Sequence, residues 1–292
     1  MSCGWRRDRA MAPVAALIAL IWRPWPAATV RGMHGTPIRV EVNGGIATAE
    51  HLRHLALAGY GHFTAMQVRD ARTRGLDLHV RRLDAATREV FGTGLDADRI
   101  RGHIRHALAG TGDASVRVIV FWPEADAAPA IMVTVRPPGE MPAGPLSLQP
   151  VPYQRPVPHI KHAADFAQTY YRRLAAADGF DDALLSGPGG VISEGGITNI
   201  AFFDGTTLTW PDAPCLAGIT MQLLEPRLPG SGLPAGRGPV RLADLPSFTA
   251  ALVTNSRGIA PVGRIGTTTL PGCPALMQAL SEIYESIPRD PI

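Results

Sequence analysis

Between residues 137 and 158, eight of 22 residues are proline. Locked φ angles and missing backbone N–H groups at so many positions exclude a regular helix and favour a stiff, extended connection. The 292-residue chain is thereby divided into two parts, each of which must bury a core of its own. The predicted layout is an extension over residues 1–36, a small α+β domain over 37–137, a linker over 138–158 and a larger domain over 159–292. With 46% hydrophobic residues there is enough apolar surface for two medium cores.

The two parts differ in periodicity. In the first, residues 38–43 alternate as a short strand, Thr48 caps a helical run to Ala58, and residues 61–69 read as a second strand. Residues 76–91 read as a helix with Leu76, His79, Leu83, Ala86 and Val90 near one face and Gly92 just past its end. A further helix is predicted over 96–108, and β-rich runs over 116–122 and 131–136. After the prolines, residues 165–177 are rich in helix formers. Short strands over 183–185, 191–193, 200–203 and 207–210 then follow one another across turns at 187–190 and at Asp204 and Gly205. Such close spacing predicts an antiparallel, β-rich second domain, and the whole is expected to be α+β.

Charge and cysteine usage exclude several classes. A net charge of +3, with 18% charged residues and arginines scattered along the chain, gives no nucleic-acid footprint. Cys3, Cys215 and Cys273 are too few and too far apart for a disulfide framework or a zinc ribbon, which fits a reducing compartment. His51/His54, His103/His106 and His159/His162 share a three-residue spacing but lack the carboxylate and third ligand of a metal site, so surface positions are expected and no metal. At the N-terminus Arg6, Arg7 and Arg9 precede an apolar run from Met11 to Trp22, followed by Pro26, Ala27 and Ala28, in the layout of a secretory signal. The run is short for a membrane span. Translation from Met33 accounts for the same segment, and a cytoplasmic protein is the expectation, with export left open.

Lys161 is the only lysine, whereas the other 27 basic residues are arginine. An amine, once deprotonated, forms a Schiff base with a carbonyl, while arginine stays charged. A composition rich in Arg, Ala and Pro also leaves room for a lone lysine by nucleotide bias. The amine points to pyridoxal phosphate or to a carbonyl substrate.

Five segments carry a resemblance. These are Gly75 to Leu83 (GLDLHVRRL), Ile160-Lys161, Ser193 to Ile200 (SEGGITNI), Leu216 to Thr220 (LAGIT) and Thr254 to Val262 (TNSRGIAPV). Together, over residues 37–265, they resemble the fold-type IV pyridoxal phosphate enzymes, which include branched-chain aminotransferase, D-amino acid aminotransferase and aminodeoxychorismate lyase. The resemblance implies a small N-terminal α/β sandwich domain and a larger β-rich, pseudo-barrel domain that binds pyridoxal 5'-phosphate. It implies Lys161 as the Schiff-base lysine and Glu194 as the carboxylate that keeps the cofactor ring nitrogen protonated. Arg82, Gly218, Ile219 and Thr220 would hold the phosphate, with further cofactor contacts from Asn199, Asn255 and Ser256, and Phe63 would line the substrate side. The implied activity is transfer of an amino group between an amino acid or amine and a 2-oxo acid, in a homodimer with no nucleic-acid or membrane partner. A carbon–carbon lyase of the aminodeoxychorismate type is the nearer alternative, and a non-catalytic homologue that binds the cofactor the further one.

Three departures accompany the match. Thr64 stands where the family has a glutamate, and Phe166 stands where branched-chain enzymes have a tyrosine five residues after the lysine. Pro226 and Pro229 cut short the helix after the GIT tripeptide, and the segment from Thr254 to Val262 is one residue shorter than the family's pattern.

Overall fold

The computed structural model describes residues 39–123 and 128–292, and the signal-like segment lies outside them. The N-terminal domain contains β1 (Arg39–Val42), β2 (Gly45–Ile46), α1 (Ala49–Ala58), β3 (Gly61–Val68), β4 (Arg72–Thr73), α2 (Leu76–Phe91), α3 (Ala97–Leu108), β5 (Ala114–Phe121) and β6 (Ala130–Arg136). Five strands form an antiparallel sheet in the order β2-β1-β6-β5-β3. Helix starts follow local chemistry. Thr48 accepts from the His51 N–H while the His51 ring accepts from the Thr48 N–H, and Asp96 accepts from the N–H groups of Asp98 and Arg99 at the start of α3.

Alternation along β3 decides what faces what. Met66 and Val68 join Val116, Val118 and Val120 of β5 and Ile131, Val133 and Val135 of β6 on the face that packs against Leu76, Val80 and Leu83 of α2 and Ile100 and Ile104 of α3. His62 and Thr64 share that face. His62 Nε2 lies 3.0 Å from Thr87 Oγ1 and Thr64 Oγ1 lies 2.6 Å from His79 Nδ1, so both strand residues are tied to α2. Phe63, Ala65 and Gln67 consequently point to the opposite side.

The larger domain contains β7 (Leu146–Val151), α4 (Phe166–Ala177), β8 (Asp182–Ser186), β9 (Ile192–Gly195), β10 (Asn199–Phe203), β11 (Leu208–Pro211), α5 (Ile219–Leu224), β12 (Ala235–Gly238), β13 (Ala250–Asn255), β14 (Gly258–Ile265), β15 (Thr268–Thr269), α6 (Pro274–Ser286) and β16 (Asp290–Pro291). Its main sheet runs β12-β11-β10-β13-β14-β7-β8-β9, with β15 on β14. The end strand β9 also lies against β10 and β11, so the sheet curls towards a half-barrel. Phe202, Val253 and Val262 centre one core of this domain, and Trp210, Leu252 and Leu280 centre another. The molecule is α+β, as expected.

Two expectations are corrected. Residues 146–151, assigned to the linker, form β7 in the interior of the sheet, with Leu148 and Val151 buried. The surrounding prolines mask the strand's pattern. The sheet is also mixed rather than antiparallel, because β7 runs parallel to both β14 and β8, and β11 parallel to β12.

The domains are joined by backbone pairing as well as by chain. The Phe63 N–H donates to the Lys161 carbonyl at 2.8 Å and the Ala163 N–H to the Gly61 carbonyl at 2.7 Å. The C-terminal strand β16 returns to pair with β4, and Arg74 donates to the Ile287 carbonyl and to Glu285. Among the described residues no helix is long and apolar enough to cross a membrane, and no cluster of side chains could hold a metal ion.

Candidate active site

The sheet face that carries Phe63, Ala65 and Gln67 looks onto the larger domain across a cleft of about 450 Å³. Lys161 reaches it because its backbone pairs with β3, which sets its side chain beside Phe63, with Nζ 4.8 Å from the ring centroid. Burial, helped by the nearby guanidinium charges of Arg82 and Arg155, lowers the Lys161 amine to about 7, against the opposing pull of Glu194. At neutral pH this amine is therefore divided between its charged and neutral forms, and the neutral fraction is available as a base or nucleophile, where an ordinary lysine is almost wholly charged.

Glu194, on β9, is buried at the cleft's lining. One carboxylate oxygen lies 3.3 Å from Arg155 Nη1 and the other accepts from the Leu216 N–H at 3.2 Å. Burial pushes its pKa up, while Arg155 and the Leu216 N–H act in the other direction. Arg155 is itself buried and donates to the Pro158 and Ile160 carbonyls, so it ties the carboxylate to the segment that delivers Lys161.

At α2, Arg82 lines the cleft and Arg81 is exposed to solvent. Burial first, and the charge of Arg155 second, lower the Arg82 pKa to about 10. Arg82 Nη2 donates to the Ala217 carbonyl, at the loop that enters α5. Asn199 fixes the same loop, with Nδ2 donating to the Leu216 carbonyl at 2.7 Å, and a Cβ at Gly218 would run into Asn199 Oδ1. That close approach explains glycine at position 218. In the six-residue helix α5 the first N–H groups have no intrahelical acceptor, as at any helix start.

Phe63, Arg82, Lys161, Glu194, Asn199, Gly218, Ile219, Asn255 and Ser256 all line this one cleft. Thr220 lines an adjoining smaller cavity, together with Ile219 and Ser256, and its hydroxyl donates to the Asn255 carbonyl at 2.6 Å. The shortened C-terminal segment has a simple form: Asn255 pairs with Gly258 across a two-residue turn, with Gly258 at φ 130 and the Arg257 N–H donating to Asn255 Oδ1.

The departures resolve differently. Thr64 does not face the cleft at all but holds His79, a histidine that burial lowers to about 3. Phe166 is 81% exposed and stacks on Tyr170, so it is no replacement for a cleft tyrosine; Asp165, Gln168 and Thr169 line the cleft instead. Among the histidines, His51 caps α1, His159 pairs with Glu89 and His106 with Glu41. His162, expected at the surface, is half-buried on the cleft lining. Arg155, Arg117, Arg136, Arg257, Thr198 and Thr254 were not expected and also line the cleft. A long separation along the chain hid them: Arg155 and Glu194 are 39 residues apart.

Comparison with known proteins bears on the fold and the family. The fold is similar to that of a hypothetical aminotransferase from Mycobacterium tuberculosis in its PLP-bound form (TM-score 0.73, 22% identity, covering 85% of this chain and 98% of that one). It is also similar to branched-chain aminotransferase from Thermoproteus uzoniensis with norvaline (TM-score 0.75, 18% identity, 86% and 94% covered). A third similar structure is 4-amino-4-deoxychorismate lyase from Pseudomonas aeruginosa (TM-score 0.70, 24% identity, 85% and 99% covered). No curated protein sequence matches the chain. The model of the amino-transferase class IV family matches residues 61–265, which include Lys161, Glu194, Arg82 and the loop into α5, and the chain belongs to that family.

Proposed function

We propose that the protein is a pyridoxal-phosphate-dependent aminotransferase that moves an amino group between an amino acid or amine and a 2-oxo acid. The observation that carries this reading is the buried Lys161 amine, lowered to about 7, in one cleft with Glu194 and Arg82. The residues present fit the cofactor. The cleft volume is that of a small-molecule site, and Thr198 Oγ1, Thr254 Oγ1 and Gln168 Oε1 on its lining are buried without a hydrogen-bond partner.

When bound, pyridoxal phosphate supplies an aldehyde to which an amine can join and a ring that withdraws electrons from the substrate's α-carbon. Lys161 Nζ would be the amine that holds it and the base that takes up and returns the substrate's α-proton. Glu194, held by Arg155 and the Leu216 N–H, would be the carboxylate that receives the ring nitrogen's proton in a hydrogen bond. Arg82 and the N–H groups of Ile219 and Thr220 would receive the phosphate. Asn199 holds the Leu216 carbonyl of the same loop, Asn255 and Ser256 belong to the hairpin on the cleft lining, and Phe63 would wall the substrate side. A homodimer belongs to this reading, with the exposed Phe166, next to the cleft residue Asp165, as an apolar contact surface. So does a cytoplasmic site of action, in keeping with the free thiols of Cys215 and Cys273.

A two-substrate assay across amino donors and oxo-acid acceptors tests the proposal. Turnover that requires both partners is expected. Product formed from a single substrate with no acceptor would replace it with a carbon–carbon lyase, and cofactor binding without any turnover would replace it with a binding protein.

A further inference from the structure

Helix α2 carries Arg82 into the cleft, yet its own sequence leaves its start without a side-chain cap. Gly75, at the N-cap, has no side chain to accept from the first N–H groups. The acceptor comes instead from β16: Asp290 Oδ2 accepts from the Leu76 N–H at 2.9 Å, across 214 residues of sequence. Glycine suits position 75 through its left-handed φ of 68, and also through its neighbours, because a Cβ there would stand 3.3 Å from Ile219 Cγ2 and from both Leu223 methyl carbons. The first turn of α2 therefore rests directly on α5, the helix whose start is assigned to the phosphate.

Asp290 belongs to a short segment that leaves α6 in the larger domain and crosses to the smaller one. Ile287 is buried in a cluster with Ile219 and Leu223 of α5, against which Leu78 of α2 and Tyr284 of α6 pack. Beyond it, Asp290 and Pro291 pair with Thr73 and Arg72 of β4, the Ile292 N–H donates to the Ala71 carbonyl, and the Ile292 side chain packs on the small-domain core. Arginines of the small domain hold the segment from their side. Arg72 Nε donates to the Arg289 carbonyl. The buried Arg74 donates to the Ile287 carbonyl and to both the carbonyl and the carboxylate of Glu285, with its guanidinium 4.6 Å from the Tyr284 ring centroid. Pro288 and Pro291 restrict the backbone, so the segment loses less freedom when it docks.

The two halves of the phosphate site come from different domains. Arg82 is on α2 and the Ile219 and Thr220 N–H groups open α5, so their meeting depends on how these two helices sit against each other. Leu76 lies six residues before Arg82, about 9 Å along the helix axis, and a rigid helix transmits a displacement at its start to that guanidinium. The lysine segment joins the domains at the first residues of β3, where it pairs with Gly61 and Phe63, and the C-terminal segment joins them past the other end of β3, at β4. The start of α2 follows β4 directly, so it is the second joint that governs it.

We propose that residues 287–292 are a strap that fixes α2 against α5, and that Asp290 is a positioning residue for the phosphate site: by holding the start of α2 it keeps Arg82 within reach of the group that the α5 N–H groups bind. This rests on the reading above for the identity of that group and on the strap's own contacts for the role of Asp290.

The test compares pyridoxal phosphate with pyridoxal, which carries the same aldehyde and ring but no phosphate, each titrated by absorbance into the full chain. In the unmodified protein the phosphate compound is expected to bind more tightly. Asp290→Ala should cut that advantage roughly three- to tenfold, within the range of a lost helix cap, and leave pyridoxal affinity unchanged. Asp290→Asn, which keeps an acceptor oxygen, should restore most of it. In cofactor-free protein, hydrogen exchange in Asp290→Ala should speed up at the first turns of α2 and not in β5 or β6. An unchanged advantage, an equal loss for both compounds, or faster exchange spread over the whole small domain would overturn the proposal. If the unmodified protein binds both aldehydes alike, or neither, the phosphate site and the role of Asp290 in it are rejected together, and exchange confined to α2 then upholds the strap alone.

Discussion

At neutral pH the Lys161 amine, lowered to about 7 first by burial, is divided between its charged and neutral forms, and the cationic neighbours that add to the shift include the groups assigned to phosphate and to Glu194. Binding a dianionic phosphate beside Arg82 would weaken the repulsion that lowers the amine, so cofactor and lysine are coupled through this arginine. Arg81 and Arg82 provide a matched pair for testing it. They differ by about 100° in direction around α2, and only Arg82 lines the cleft. Arg82→Ala should raise the cofactor dissociation constant roughly ten- to a hundredfold, as expected for a charge-assisted contact, and Arg81→Ala should leave it unchanged. A cofactor titration followed by absorbance reads both variants. Equal losses would remove Arg82 from the phosphate site.

At the level of elements, the seam between β3 and α2 makes the small domain sensitive to acid. Burial lowers His79 to about 3 and His62 to about 4, and each is bonded to a threonine across the seam. A folded pKa below the unfolded value of about 6.5 means that the unfolded chain takes up protons first as the pH falls. Stability is therefore unaffected by these groups above about 6.5 and is lost progressively from there towards 3 to 4. For His79 the loss at pH 5 is roughly 2 kcal/mol. Denaturation midpoints at pH 7 and pH 5 should differ less in His79→Asn than in the unmodified protein; an unchanged difference would place the acid sensitivity elsewhere. The helices of the small domain were legible in the sequence because the caps of α1 and α3, at Thr48 and Asp96, and the apolar face of α2 that begins at Leu76 are local. The strand β7 was not, since prolines at 145, 150 and 152 hide a strand that tertiary pairing sustains. The partners of His79 and of Glu194 were equally hidden, because Thr64 and Arg155 come near them only through the fold.

Across the whole molecule, one segment couples the two domains and the chemistry. The run from Arg155 to Ala163 leaves the proline-rich stretch, places Arg155 against Glu194, and pairs with β3 so that Lys161 faces Phe63. The residue motifs around Lys161, Glu194 and the GIT loop were readable from sequence, since they follow a family pattern. The arginines that complete the cleft were not, because Arg117, Arg136 and Arg257 converge from separate strands and a hairpin. The central claim is that Lys161 is the amine that holds pyridoxal phosphate, and borohydride reduction of the loaded protein followed by peptide mapping tests it most directly. The account predicts a single phosphopyridoxyl label on Lys161 and none in Lys161→Ala, which should also lose the visible absorbance of the cofactor. A loaded, coloured protein whose reduction labels no lysine peptide, or a Lys161→Ala variant that keeps its colour and turnover, would contradict it.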